Sequence, residues 1–206
     1  MWHNSNMSSQ NDTTVQSYSQ NAREYIDSAT AEVSEDLKSW YQEVLRGVAT
    51  SARIVEIGSA TGRDALYIQS LGFRVECTDA AAELVDFLKN RSLNASLLDV
   101  VKDDIPRGSD VVIANAVLVH FTKEDSEKVL RKIFVALRPG GKFAFTFLQG
   151  VGERTADMRI GAPRYFKYWK EDEILDALQR TGFMDFSVSR DVLKKWLRII
   201  AVKPKL

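Results

Sequence analysis

The sequence predicts an α/β protein built on a doubly wound sheet of about seven strands, mostly parallel, with an antiparallel C-terminal hairpin and helices on both faces. Two observations predict it. From Arg53 to Phe147 the hydrophobic pattern switches repeatedly between strand-like and helix-like periods, the signature of a parallel sheet covered by helices. After a later helical stretch, two strand-like runs follow each other with no helix between them, which only an antiparallel pair allows. At 206 residues the chain is the size of one ordinary domain, expected to span 18–206.

Thirteen of the first 20 residues are Asn, Ser, Gln or Thr, with no Lys or Arg, so residues 1–17 read as a loose polar tail. The stretch lacks the basic start and apolar middle of a signal peptide, and a cytoplasmic location is the expectation. A helical pattern runs over Ala22–Ala29 and again over Ala31–Arg46, where Val33, Leu37, Trp40, Tyr41, Val44 and Leu45 recur at helical spacing. Strands are expected at Arg53–Ile57, Arg74–Thr78, Ser96–Val100, Asp110–Ala114 and Lys142–Phe147, with helices at Gly62–Leu71, Ala80–Asn90 and Lys123–Leu137. Thr122, with Asp125 three residues on, caps the last of these, and Arg138-Pro139-Gly140-Gly141 stops it. Gln149–Tyr168 reads as irregular, Glu171–Thr181 as a helix, and Phe183–Ser189 and Trp196–Val202 as the hairpin.

Composition removes several function classes. Lys plus Arg and Asp plus Glu both number 28, so the broad positive field that draws proteins to nucleic acid or anionic membrane is missing. DNA is excluded as a partner and RNA is disfavoured. The longest apolar stretch, Val111–Val119 broken by Asn115, is far too short to span a bilayer. One cysteine, Cys77, and two histidines cannot build a His/Cys zinc site, and no metal is expected.

The first strand runs through Glu56-Ile57-Gly58-Ser59-Ala60-Thr61-Gly62 into a helix. Gly58 lets the chain turn sharply, and free amide N–H groups of the helix N-terminus then lie at the carboxyl edge of the sheet, where open α/β sheets bind ligands. The glycine spacing is not the dinucleotide pattern Gly-x-Gly-x-x-Gly. Asp79, ending the second strand, can accept two hydrogen bonds from a ribose diol, and Asp99 stands near the end of the third.

With Glu56, Gly58, Gly62, Asp79, Asp99, Asn115 and the Pro139-Gly140-Gly141 turn in this order, the chain resembles the class I S-adenosylmethionine-dependent methyltransferases, which have a Rossmann-like fold. The resemblance covers roughly Tyr18 to the C-terminus. It implies that the segment from Glu56 through Gly58 and Ser59 to Gly62 cradles the methionine part of S-adenosyl-L-methionine, with Asp64 at its amino-acid end, and that Asp79 with Ala80 binds the ribose. It implies that Asp99 with Val100 reads the adenine, and that Asn115-Ala116 through His120 borders cofactor and substrate. Tyr18 and Tyr25, in Tyr-x-x-Asn-Ala-x-x-Tyr, are similar to the N-terminal lid of the small-molecule branch, placing the lid at 18–47. Gly150–Arg154 with Arg164–Trp169 resembles a bacterial small-molecule subgroup and suggests a substrate-side cap at 149–170. Asn115 lacks the Pro-Pro-Tyr/Phe that follows in enzymes methylating DNA bases or glutamine amides.

The expected activity is direct methyl displacement onto an O, N or S atom of a small metabolite. His120 is the candidate base, against a structural role with its ring bonded to backbone at a strand end. Arg154, Arg164 and Arg190 would hold an anionic group, against a solvated basic face, and Tyr165, Phe166, Tyr168 and Trp169 would wall the substrate, against simple loop packing. A non-catalytic module that senses the cofactor, a nicotinamide-dependent oxidoreductase and an RNA methyltransferase are the rivals; both monomer and homodimer stay open.

Overall fold

The computed structural model describes residues 9–157, 160–193 and 195–205. Ile54–Ile57 (β1), Val75–Asp79 (β2), Ala95–Leu97 (β3), Ser109–Ala114 (β4) and Leu137–Leu148 (β5) lie parallel, and Met184–Arg190 (β8) and Trp196–Val202 (β9) complete a seven-stranded sheet in the order β3-β2-β1-β4-β5-β9-β8. β9 runs antiparallel to both β5 and β8, the hairpin the sequence predicts.

Strand alternation divides the core between two faces. On one, Val112, Ala114, Phe143, Phe145 and Phe147 pack against Val129, Leu130 and Ile133 of α6 (Lys123–Ala136) and Ile174, Ala177 and Leu178 of α7 (Glu171–Thr181). On the other, Ile54, Val111, Ile113, Ala144 and Ile200 pack against Trp40, Tyr41 and Val44 of α3 (Glu35–Leu45), Ala65 and Ile68 of α4 (Arg63–Ser70), and Leu88 of α5 (Ala82–Asn90). The chain is thus an α/β protein with a Rossmann-like, doubly wound sheet. The Thr122 hydroxyl caps α6 by accepting from the Asp125 N–H at 3.1 Å, as its sequence suggests.

Three expectations need correction. First, residues 10–17 are helical rather than loose, forming α1 (Gln10–Gln20), with α2 (Ala22–Ser28) behind it; residues 1–8 of the expected tail lie outside the described residues. A reciprocal capping box starts α1, the Asp12 N–H donating to Ser9 Oγ at 3.0 Å and the Ser9 N–H to Asp12 Oδ2 at 3.2 Å. The helix buries Asn11, Thr14 and Ser17, so it presents polar groups inward and shows no apolar period. Second, Gln149–Tyr168 is not irregular throughout: Glu153–Ala156 (β6) and Arg164–Lys167 (β7) pair as an antiparallel ribbon. Third, β3 stops at Leu97, leaving Asp99 in the loop beyond it. Among the described residues no helix is long and apolar enough to cross a membrane.

Candidate active site

The strand order reverses between β1 and β4, and there the carboxyl edge opens a crevice. A cavity of about 550 Å³ fills it, walled by the loop after β1, the ends of β2 and β4, the Asp99–Val100 loop, α1 and β7. The β1 loop holds its shape through left-handed backbone at Gly58 (φ 67°), Ala60 (φ 51°) and Gly62 (φ 74°). A β-carbon at Gly58 would stand 2.5 Å from Val117 Cγ2, so only glycine passes here.

Asp79 is the anchor of the crevice. It is buried, and each carboxylate oxygen accepts one backbone N–H: Oδ2 from Ala60 at 2.9 Å, Oδ1 from Ala81 at 3.0 Å. Burial pushes its carboxyl up, against the N–H groups of Ala81, Ala60 and Ala80, which pull it down. A carboxylate has about four acceptor sites, so each oxygen retains capacity on a cavity wall. Two adjacent hydroxyl donors match that arrangement.

Asp64 accepts from Arg63 Nε at 2.7 Å and from Asn115 Nδ2 at 2.7 Å. Asn115 Oδ1 in turn accepts from Thr146 Oγ1 at 2.8 Å, while Thr146 Oγ1 accepts the Ala116 N–H at 2.8 Å. This chain fixes the orientation of the Asn115 amide and holds Ala116 at φ 59°. The Arg63–Asp64 pair places both charge signs on the cavity wall.

Under α1, the Tyr18 hydroxyl stands 3.1 Å from His120 Nε2 and accepts from Arg164 Nη1 at 3.0 Å. His120 Nδ1 is 2.7 Å from the Tyr165 carbonyl. Burial depresses His120 to about 4, opposed by that carbonyl and reinforced by the Arg164 charge. Burial likewise pushes Tyr18 up to about 12. Both are uncharged at neutral pH, and the guanidinium of Arg164 is the formal charge of this trio.

A methyltransferase domain family model matches residues 28–188, most of the chain. The chain belongs to this methyltransferase family. Among curated proteins none has a significantly similar sequence. Among solved structures, the chain is similar to Haemonchus contortus phosphoethanolamine N-methyltransferase 2 in complex with S-adenosyl-L-methionine, at 14% identity and a TM-score of 0.77, over 97% of this chain and 61% of that one. It is also similar to Burkholderia thailandensis 1,6-didemethyltoxoflavin-N1-methyltransferase, at 20% identity, TM-score 0.67, over 92% and 85% of the two chains. A Methanosarcina mazei S-adenosylmethionine-dependent methyltransferase matches at 15% identity and a TM-score of 0.70, over 81% and 99%.

The methyltransferase cavity gathers most of the residues expected to hold the cofactor: Tyr18, Tyr25, Gly58, Ser59, Asp64, Asp79, Ala80, Asp99, Val100, Asn115 and Ala116, together with His120. Glu56 and Gly62 are not on its wall. Glu56 is buried within β1 beneath the loop, its Oε2 without a hydrogen-bond partner, and burial followed by the nearby Asp64 charge raises it to about 8. Gly62 faces the core, where a β-carbon would meet Leu93 Cδ1 at 2.4 Å.

Of the residues expected at the substrate, the cavity holds Arg164 and not Arg154, Tyr165, Tyr168 or Arg190. Strand alternation in β7 accounts for Tyr165: Arg164 and Phe166 face inward, and Tyr165 points to the other side, donating its hydroxyl to Glu153 at 2.6 Å. Arg154 lies over the rings of Phe166 and Tyr168, and Arg190 is paired with Glu171. Sequence reasoning missed Asn11 and Thr14 of α1 and Thr146 on β5; of the four aromatic residues expected to wall the substrate, Phe166 lines the cavity and Tyr165, Tyr168 and Trp169 do not. The Ser9-Gln10-Asn11-Asp12 capping pattern was the available signal for α1; Thr146 carries none before the strands are aligned.

Proposed function

We propose that this enzyme transfers a methyl group from S-adenosyl-L-methionine to an O, N or S atom of a small, anionic metabolite. Buried Asp79, with acceptor capacity left on both oxygens at the switch point of a methyltransferase fold, is the observation that carries the reading. When bound, the donor supplies an activated sulfonium methyl with a neutral leaving group. In this reading Asp79 and Ala80 hold the ribose, Asp99 and Val100 the adenine, and the Ser59–Ala60 backbone with Arg63 and Asp64 the amino-acid end.

The protein's remaining task is to align the acceptor and keep water out, which is worth roughly 7–11 kcal/mol when the geometry is right. α1 is built for exclusion, because it closes over the cavity by four separate ties: Asn11 to Asp99 at 2.9 Å, Thr14 to the Tyr165 N–H at 3.1 Å, Ser17 to the Pro163 carbonyl at 2.5 Å, and Tyr18 to His120. Arg164, buried on the cavity wall, supplies the charge for a carboxylate or phosphate on the acceptor. His120 has both ring nitrogens engaged, so a proton reaches it only by way of the Tyr18 hydroxyl. The Burkholderia neighbour was solved with 1,6-didemethyltoxoflavin bound, which supports a small-molecule acceptor.

The test is transfer of labelled methyl into a metabolite extract, with S-adenosylhomocysteine binding followed by calorimetry. Binding of the product with labelled methyl appearing in a small acidic metabolite is the expected result. Binding without transfer to any metabolite gives the site to a non-catalytic sensor, and label appearing in RNA gives it to the RNA-modifying reading.

A further inference from the structure

The cavity extends well beyond the residues that fit the donor. On the β5 side, Thr146 pairs with Arg198 and Leu148 with Trp196 across the antiparallel ladder, and Arg198 and Trp196 both line the same cavity. The wall then continues to Asp191, Val192 and Leu193 at the β8–β9 tip and to Leu37 on α3. β9 lies four strands from β2, about 19 Å at the usual strand spacing, so an adenosyl group gripped at Asp79 leaves this arm to another occupant.

Its polar groups already have partners within the chain. Arg198 Nη2 donates to Asp36 Oδ2 at 2.7 Å, and Asp191 Oδ1 accepts the Lys195 and Trp196 N–H groups at 2.7 and 2.9 Å. What faces the arm without such engagement is apolar: Leu37, Trp196, and the tip residues Val192 and Leu193, which are 83% and 72% exposed. Two large aliphatic side chains held out at the rim of a cavity gain most by being covered when it fills.

We propose that the β5–β9 arm binds the non-reacting part of the methyl acceptor and that this part is an alkyl or aromatic group, with Leu37, Val192, Leu193 and Trp196 setting specificity. The inference rests on the methyl-transfer reading of the cavity. It combines with Arg164 to describe an amphiphilic acceptor, anionic at one position and apolar at another.

The experiment uses the full chain saturated with S-adenosylhomocysteine and straight-chain primary alcohols from butanol to octanol as probes, with affinities measured by ligand-detected NMR. Affinity should rise about three- to fourfold per methylene. Val192→Ser combined with Leu193→Ser, two exposed positions whose folding is checked by the melting profile, should flatten the series. A flat series in the native chain overturns the proposal, and so does a series that the double substitution leaves unchanged. Self-association of the native chain that the double substitution abolishes gives the tip to a second copy and also overturns it. Failure to bind S-adenosylhomocysteine at the outset counts instead against the methyl-transfer reading.

Discussion

The Tyr18 hydroxyl and His120 Nε2 lie 3.1 Å apart, and the other ring nitrogen decides which of them donates. His120 Nδ1 faces the Tyr165 carbonyl at 2.7 Å, and a carbonyl only accepts. Nδ1 therefore carries the proton, Nε2 is the lone pair, and Tyr18 donates to it while accepting from Arg164. Tyr18→Phe deletes one hydroxyl and takes a hydrogen bond from each of its two partners, His120 and Arg164. Denaturant melts should show a loss of about 1–3 kcal/mol. A double-mutant cycle with His120→Asn should return a coupling of about 0.5–3 kcal/mol, and additive losses would remove the pair.

The same histidine makes the fold acid-sensitive. Its folded value, depressed to about 4 from 6.5, means the unfolded chain binds its proton first as pH falls. Its contribution is fully present above pH 6.5 and is lost between 6.5 and 4, about 3 kcal/mol in all. Denaturant midpoints taken across that window should fall more for the native chain than for His120→Asn; parallel curves would contradict the assignment.

Glu56 works in the opposite sense. Its carboxyl is raised to about 8 from 4.5 by burial, so the native state holds a proton the unfolded chain has released. That stability is present below pH 4.5 and is lost as pH rises through 8. Glu56→Gln should gain steadily on the native chain as pH is raised across this range in thermal melts. A gap between the two that does not change with pH would show an ordinary, exposed carboxylate.

How far the sequence carried this reading is visible in where it stopped. The parallel strands and their helices were legible because short strand-like runs alternate with helical periods, and α7 and β9 have the expected bounds. The glycine loop and Asp79 were legible because a turn and an acid at a strand end have few other uses. α1 escaped because it buries Asn11, Thr14 and Ser17 against other polar groups, a pattern no hydrophobic period reveals. Arg164 and Arg154 looked alike as letters; only the folded contacts put Arg164 on the cavity wall and Arg154 over the rings of Phe166 and Tyr168.

The tie between α1 and Asp99 has its own consequence. Asn11 Nδ2 reaches both oxygens of Asp99, at 3.1 and 2.9 Å, from a fully enclosed position. Asn11→Ala removes the amide while leaving the Ser9–Asp12 cap intact. Amide hydrogen exchange along residues 10–20 should accelerate, and global stability should fall by about 1–2 kcal/mol. Exchange as slow as in the native chain would show that the helix is held by its other ties alone.

Asp79 offers the sharpest check on the cofactor site, because its charge and its geometry can be separated. Its buried carboxyl is raised above the usual aspartate range, and hydroxyl donors on the cofactor favour the ionised form. Affinity for S-adenosylhomocysteine should therefore weaken on acidification, beginning above the pH at which an exposed aspartate titrates. Asp79→Ala should cost about 1.5–3 kcal/mol of binding at neutral pH. Asp79→Asn keeps the shape, replaces one acceptor by a donor, and should abolish the acid dependence. Calorimetry across pH separates these outcomes: an unchanged affinity in the alanine variant would take Asp79 out of the site, and an acid dependence surviving in the asparagine variant would assign the titration to another group.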